Sequence, residues 1–65
     1  MRRILIIPQR DLLGQVAEYL VTLEQDENRW PLQQCEWLTQ AQCAARVAMN
    51  THSARRITIE TPEAA

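Results

Sequence analysis

The chain has no lysine and no phenylalanine, and a single glycine, Gly14, among its 65 residues. Each absence excludes something. Without lysine, all seven basic residues are arginines, the residue type suited to bidentate contacts with carboxylate or phosphate. They stand against eight acidic residues, giving a net charge of -1 and a pI near 5.7. That balance lacks the basic excess usual in nucleic-acid binders, so only local clustering of arginine can argue for such a role. Without phenylalanine, and with only Tyr19, Trp30 and Trp37 as aromatics, the core must be mostly aliphatic. A lone glycine rules out a glycine-rich phosphate loop.

Cysteine is sparse too. Cys35 and Cys43 lie eight positions apart. On one continuous helix they would be ~12 Å apart, and a disulfide needs Cα atoms within about 7 Å. They are expected to be reduced, buried thiols. Cys35, Cys43 and His52 lack a fourth ligand and zinc-like spacing, so no metal or other cofactor is expected. No nucleophile and base stand in a recognisable constellation, and the chain is not expected to be an enzyme. Long apolar runs are also missing. Ile4 to Ile7 ends at Pro8, too short for a secretion signal or a membrane span. A cytoplasmic protein with no membrane partner is expected.

What the sequence does contain is an apolar fraction of 46%, enough for one small folded domain over residues 1–65. A core of this size supplies only about 3–5 kcal/mol, so a homodimer is expected. Arg3 to Ile7 reads as a short strand. Asp11 offers an N-cap, and Leu12, Leu13, Val16, Ala17, Leu20 and Leu23 recur at helical spacing. Asn28 and Pro31 mark a turn and a new helix start. Leu32, Cys35 and Leu38 begin its apolar side, and Ala41, Ala44, Ala45, Val47 and Ala48 continue it. Thr39 or Asn50 could break that helix. "RITIE" alternates like a strand, and residues 60–65 read as a solvated tail. The fold class this predicts is α+β and mostly helical. It has a short N-terminal strand, two to three helices with a helix-turn-helix-like unit, and a short C-terminal strand. The two terminal strands could pair antiparallel.

Residues 37 to 57 carry a more specific pattern. Trp37-Leu38-Thr39 opens it, Ala44 takes a small position at a helix crossing, and Val47 precedes a turn at Ala48-Met49-Asn50. Ser53, Arg55 and Arg56 follow. The stretch resembles the helix-turn-helix of excisionase/MerR-type DNA-binding proteins. The resemblance implies a recognition helix that carries Thr51, His52 and Ser53 at its start. Arg46, Arg55 and Arg56 would contact phosphates and bases, and Arg2 and Arg3 would extend the patch if the terminal strands pair.

Two functions therefore remain open. One is a small DNA-binding regulator, of the kind carried by phages and mobile elements. The other is a small acidic protein-binding module or inhibitor of a host protein, acting as a dimer without DNA. In the second, Arg55 and Arg56 merely start a terminal strand, and Trp30 and Trp37 are interface candidates. The arginine pattern tips the expectation towards DNA. The deciding feature is whether residues 51–60 form a helix or a strand beside residues 3–7.

Overall fold

The computed structural model describes residues 2–60. Its element order is β1 (Arg2–Arg10), β2 (Val16–Gln25), β3 (Asn28–Cys35), α1 (Leu38–Thr51) and β4 (Ile57–Ile59). About half of the described residues are strand and about a quarter are helical. The expectation of a mostly helical chain with a helix-turn-helix-like unit is therefore corrected. There is one helix on a four-stranded mixed sheet of order β3-β2-β1-β4.

The largest correction falls on residues 12–24. The helical spacing there arises from three sources. Leu12 and Leu13 belong to a loop, Tyr19, Val21 and Leu23 point to one face of β2, and Leu20 and Thr22 point to the other. Leucines from two faces and a loop can imitate one helical stripe. Valine, tyrosine and threonine are also good strand formers, and pairing along nearly the whole of β1 settles the local ambiguity. β2 then turns directly into β3 with Gln25 opposite Asn28. Asp26 and Glu27 both have positive φ, 51° and 70°, which is the two-residue turn matched to strand twist.

β3 replaces the expected second helix from Pro31. Its ladder with β2 slips once: Gln33 faces Val21 and Pro31 faces Thr22, leaving Leu32 as a bulge. Pro8, expected to end the first strand, sits inside β1 opposite Tyr19. Ile4 donates to the Arg56 carbonyl (2.8 Å) and Ile6 accepts from the Glu60 amide (2.9 Å), so even-numbered residues of β1 turn towards β4. β4 reaches only as far as Ile6. The missing N–H of Pro8 thus faces a side with no neighbouring strand among the described residues.

α1 starts at Leu38, with Trp37 as N-cap. Trp37 has no side-chain acceptor to offer, but Gln40 reaches back to the Trp37 amide (3.3 Å). Ala41 and Ala45 are fully buried and bring the helix close to Ile4, Ile6, Val21 and Leu23. Leu38, Ala48 and Met49 pack at the edge of the same core. Thr39 and Asn50 lie inside the helix and break nothing. Its end is a Schellman turn. Ser53 takes φ 55°, and the Ala54 amide bonds the Met49 carbonyl (2.9 Å) while Ala54 itself is buried. β4 follows and pairs parallel with Ile4 to Ile6, not antiparallel as expected.

Among the described residues the face away from α1 has no second layer, yet Leu5 is fully buried and Thr22 nearly so. An ion-pair chain runs across it. Arg3 and Arg29 both bond Glu24, the latter at 3.0 Å, and Arg29 also bonds Glu60 at 2.8 Å. Arg29 is on β3 and Glu60 follows β4, so the pair bridges the two middle strands, over Thr22 and Leu5. The Thr22 hydroxyl beneath has no hydrogen-bond partner. Arg3 and then Arg29 hold the Glu24 carboxyl below the ordinary glutamate range, against the opposing effect of burial. Of the expected tail, Glu60 is in this chain of charges and residues 61–65 lie outside the described residues. Among the described residues no helix is long and apolar enough to cross a membrane.

Candidate protein-binding surfaces

The residues proposed to read DNA do not lie on a helix together. Thr51 ends α1 and donates to the Val47 carbonyl (2.9 Å). His52 is the C-cap, Ser53 the left-handed residue after it, and Arg55 and Arg56 lie in the exposed connection to β4. The recognition helix is therefore replaced by a helix stop and a strand. Arg46 is exposed on α1, beside a shallow cleft with Ile6, Gln42, Ile57 and Ile59. Arg3 is diverted to the opposite face by Glu24.

One part of the basic patch does assemble. The Arg2 carbonyl accepts from the Arg55 amide (3.3 Å), and the Arg2 guanidinium donates to the His52 carbonyl (2.8 Å). Arg2, Arg55 and Arg56 thus meet at one end of the sheet. That end also holds the acidic turn Asp26–Glu27, because Arg2 pairs with Gln25. The local field is mixed, not cationic.

Sequence reasoning placed Leu12 and Leu13 in a core. The structure makes them the most exposed large apolar side chains among the described residues, 105% and 84% accessible. Among the described residues neither β3 nor β4 continues beyond Tyr19 on β2 and Ile6 on β1, and residues 9–18 form an arm of two strands and a loop. Val16 and Ala17 on this arm are exposed as well. The loop is nonetheless tied down. The Asp11 carboxylate accepts from the Leu13 amide (2.9 Å) and the Gln15 amide (3.0 Å). The Asp11 amide donates to the Gln15 carbonyl (2.8 Å) and the Gly14 amide to the Asp11 carbonyl (3.0 Å). Gly14 takes φ 79°, and the Arg10 guanidinium bonds its carbonyl. The charges of Arg10 and Asp11 are engaged within the loop, which leaves two leucines presented outward. The signal in the sequence was Asp11 and Gly14 bracketing two residues between strand-forming runs, a turn signature.

A second surface lies along β3. An open groove of roughly 850 Å³ runs between that strand and α1, with Leu32, Cys35, Cys43, Ala44, Val47 and Ala48 among its lining. Val47 is 65% exposed. Trp30 and Trp37, at the two ends of β3, are both exposed, as an interface role requires. Both cysteines are free, and Cys43 is exposed, correcting the expectation of two buried thiols. They do not share a helix, since Cys35 ends β3. Among the described residues no group of three His, Cys, Asp or Glu could hold a metal. No protein-family model, no curated protein and no solved structure matches this chain.

Proposed function

We propose that the chain is a small protein-binding module, a blocker of one larger protein, whose recognition element is the tip of the β1–β2 hairpin. The supporting observation is the full exposure of Leu12 and Leu13 on a loop fixed by Asp11. Single exposed apolar residues need no explanation, but adjacent leucines on an ordered tip form a ready-made knob. Burying each yields about 1.5–3 kcal/mol. Association costs at least about 4 kcal/mol, so the tip needs help from Val16, Ala17 or the edges of the arm to give useful affinity. Since the loop is ordered before contact, little entropy is lost when it docks. The partner offers an apolar pocket wide enough for a two-strand ribbon. A cytoplasmic setting suits the two free thiols.

The test is photo-crosslinking from position 13 in cells of the source organism. A single discrete adduct that disappears in the Leu12→Ser background is expected. The reading fails if position 13 gives no adduct, or if the tip instead partitions into lipid vesicles. DNA contact through Arg2, Arg55 and Arg56 is the second reading, favoured by their meeting at one end of the sheet. It ranks lower because its helix is missing and Asp26 and Glu27 share that end. A mobility shift in low salt that is lost on Arg55→Ala would reverse the order.

A further inference from the structure

We propose that the free edge of β4 pairs antiparallel with an extended acidic peptide segment of another protein, and that Arg46 on α1 selects that segment by its carboxylate. The backbone around β4 sets the edge. The Arg56 carbonyl accepts from Ile4 and the Glu60 amide donates to Ile6, so both turn towards β1. Among the described residues no peptide bond is cis, and a trans peptide points its C=O and N–H in opposite directions. The Ile57 N–H and the Ile59 C=O therefore point away from β1. Thr58 pairs with Leu5 between them, and strand alternation turns the Ile57 C=O and the Ile59 N–H outward too.

β4 is the last strand in the order β3-β2-β1-β4, so among the described residues no strand covers these groups. Neither proline nor a bulge interrupts its register with β1. Alternating donors and acceptors on an open edge fit another extended backbone. A nucleic acid, a lipid headgroup or a small anion could satisfy Arg46 but would leave this edge to water.

Side chains decide which peptide fits. The register sets Ile57 and Ile59 beside Ile4 and Ile6, on the face that packs against α1. There Ile6, Ile57 and Ile59 meet Gln42 and Arg46 around a shallow cleft of about 230 Å³. In an antiparallel pair the residues opposite Ile57 and Ile59 put their side chains on this same face. The isoleucines favour an apolar side chain there. Arg46 is exposed, is the only charged residue of α1, and has no ion pair among the described residues. No acidic residue lines the cleft, and Glu60 is held on the opposite face by Arg29. A carboxylate from outside is the matching partner for this guanidinium. The segment thus carries an acidic and an apolar residue two positions apart. A second copy does not supply this pattern. Paired antiparallel, its β4 would bring Ile57 and Ile59 to that face and no acid. No residue of the hairpin tip takes part, so either proposal can fail without the other.

Titration of the full chain with synthetic peptides, followed by amide NMR, tests the pairing. The probes are acetylated, amidated heptapeptides of serine and threonine with Glu-Thr-Val or Val-Thr-Glu at the centre. At least one order is expected to give saturable shifts at Ile57, Ile59, Gln42 and Arg46, with slowed exchange of the Ile57 and Ile59 amides. Lysine in place of the peptide glutamate is expected to weaken binding by at least about tenfold, and Arg46→Ala to remove that preference for glutamate. Methylating the glutamate and valine amides of the peptide should abolish binding, a control that leaves the protein untouched. Silence at Ile57 and Ile59 with millimolar peptide of either order overturns the proposal. So does binding indifferent to lysine or to methylation. Shifts at Ile57 and Ile59 that grow with protein concentration alone would give the edge to a second copy and also overturn it.

Discussion

The β1–β2 hairpin is one continuous ribbon with two very different halves. In the inner half, Ile4, Leu5, Ile6 and Val21 have no solvent exposure, flanked by β3, β4 and α1. In the outer half, residues 9–18 pair with neither β3 nor β4 among the described residues, and Leu12 and Leu13 lie open to water. Both halves contain aliphatic residues. The difference teaches that composition marks what can be buried, while the reach of neighbouring strands decides what is. The inner half carries stability and the outer half is available for binding.

Substitutions should separate the halves. Ile6→Ala removes fully buried methyl groups beneath α1 and should cost about 2–5 kcal/mol in urea unfolding, enough to unfold a chain this small. Ala45→Leu attacks the same place from the helix side. It forces a larger side chain between α1 and the sheet and should cost about 1–3 kcal/mol. Thr22→Val, also in the inner half, should act in the opposite direction. It deletes the unpartnered buried hydroxyl at nearly constant shape and should add about 1 kcal/mol.

Acid probes the charged cover of the inner half. Glu24 has a lowered carboxyl pKa in the fold, so its contribution to stability is present above the ordinary glutamate range. That contribution is lost as pH falls through the lower folded value. The unfolding midpoint should therefore drop in acid, and Glu24→Gln should flatten part of that drop. The smallest effect is expected in the outer half. Leu12→Ser with Leu13→Ser should shift stability by no more than about 0.5 kcal/mol, because neither side chain touches the core.

How much of this was legible follows the same division. The terminal strands could be read, because Ile4 to Ile7 and Ile57 to Ile59 are β-rich and bounded. The helix over residues 38–51 could also be read, because Ala41, Ala44, Ala45 and Ala48 repeat at its period. Its stop was hidden, because Ser53 takes the left-handed position where glycine would have announced it. The β2–β3 hairpin was hidden for the same reason, since Asp26-Glu27 occupies a turn usually marked by Asn-Gly or Asp-Gly. With both signals missing, β2 passed for a helix, its leucines on two faces merging into one apparent stripe. The arginine pattern at Ser53, Arg55 and Arg56 was real as sequence, but Ile57 to Ile59 are drawn into the sheet by β1. The exposed tip at Leu12 and Leu13, the proposed site, was missed by the same error that misplaced β2, because leucines assigned to a core cannot be seen as a surface.

The claim that rests on all of this is that the hairpin tip contributes binding and not stability. One double variant measures it directly. Leu12→Ser with Leu13→Ser should keep the wild-type urea midpoint and lose the crosslinked adduct formed from the arm at position 16. A lowered midpoint, or an adduct that persists unchanged, would contradict the account.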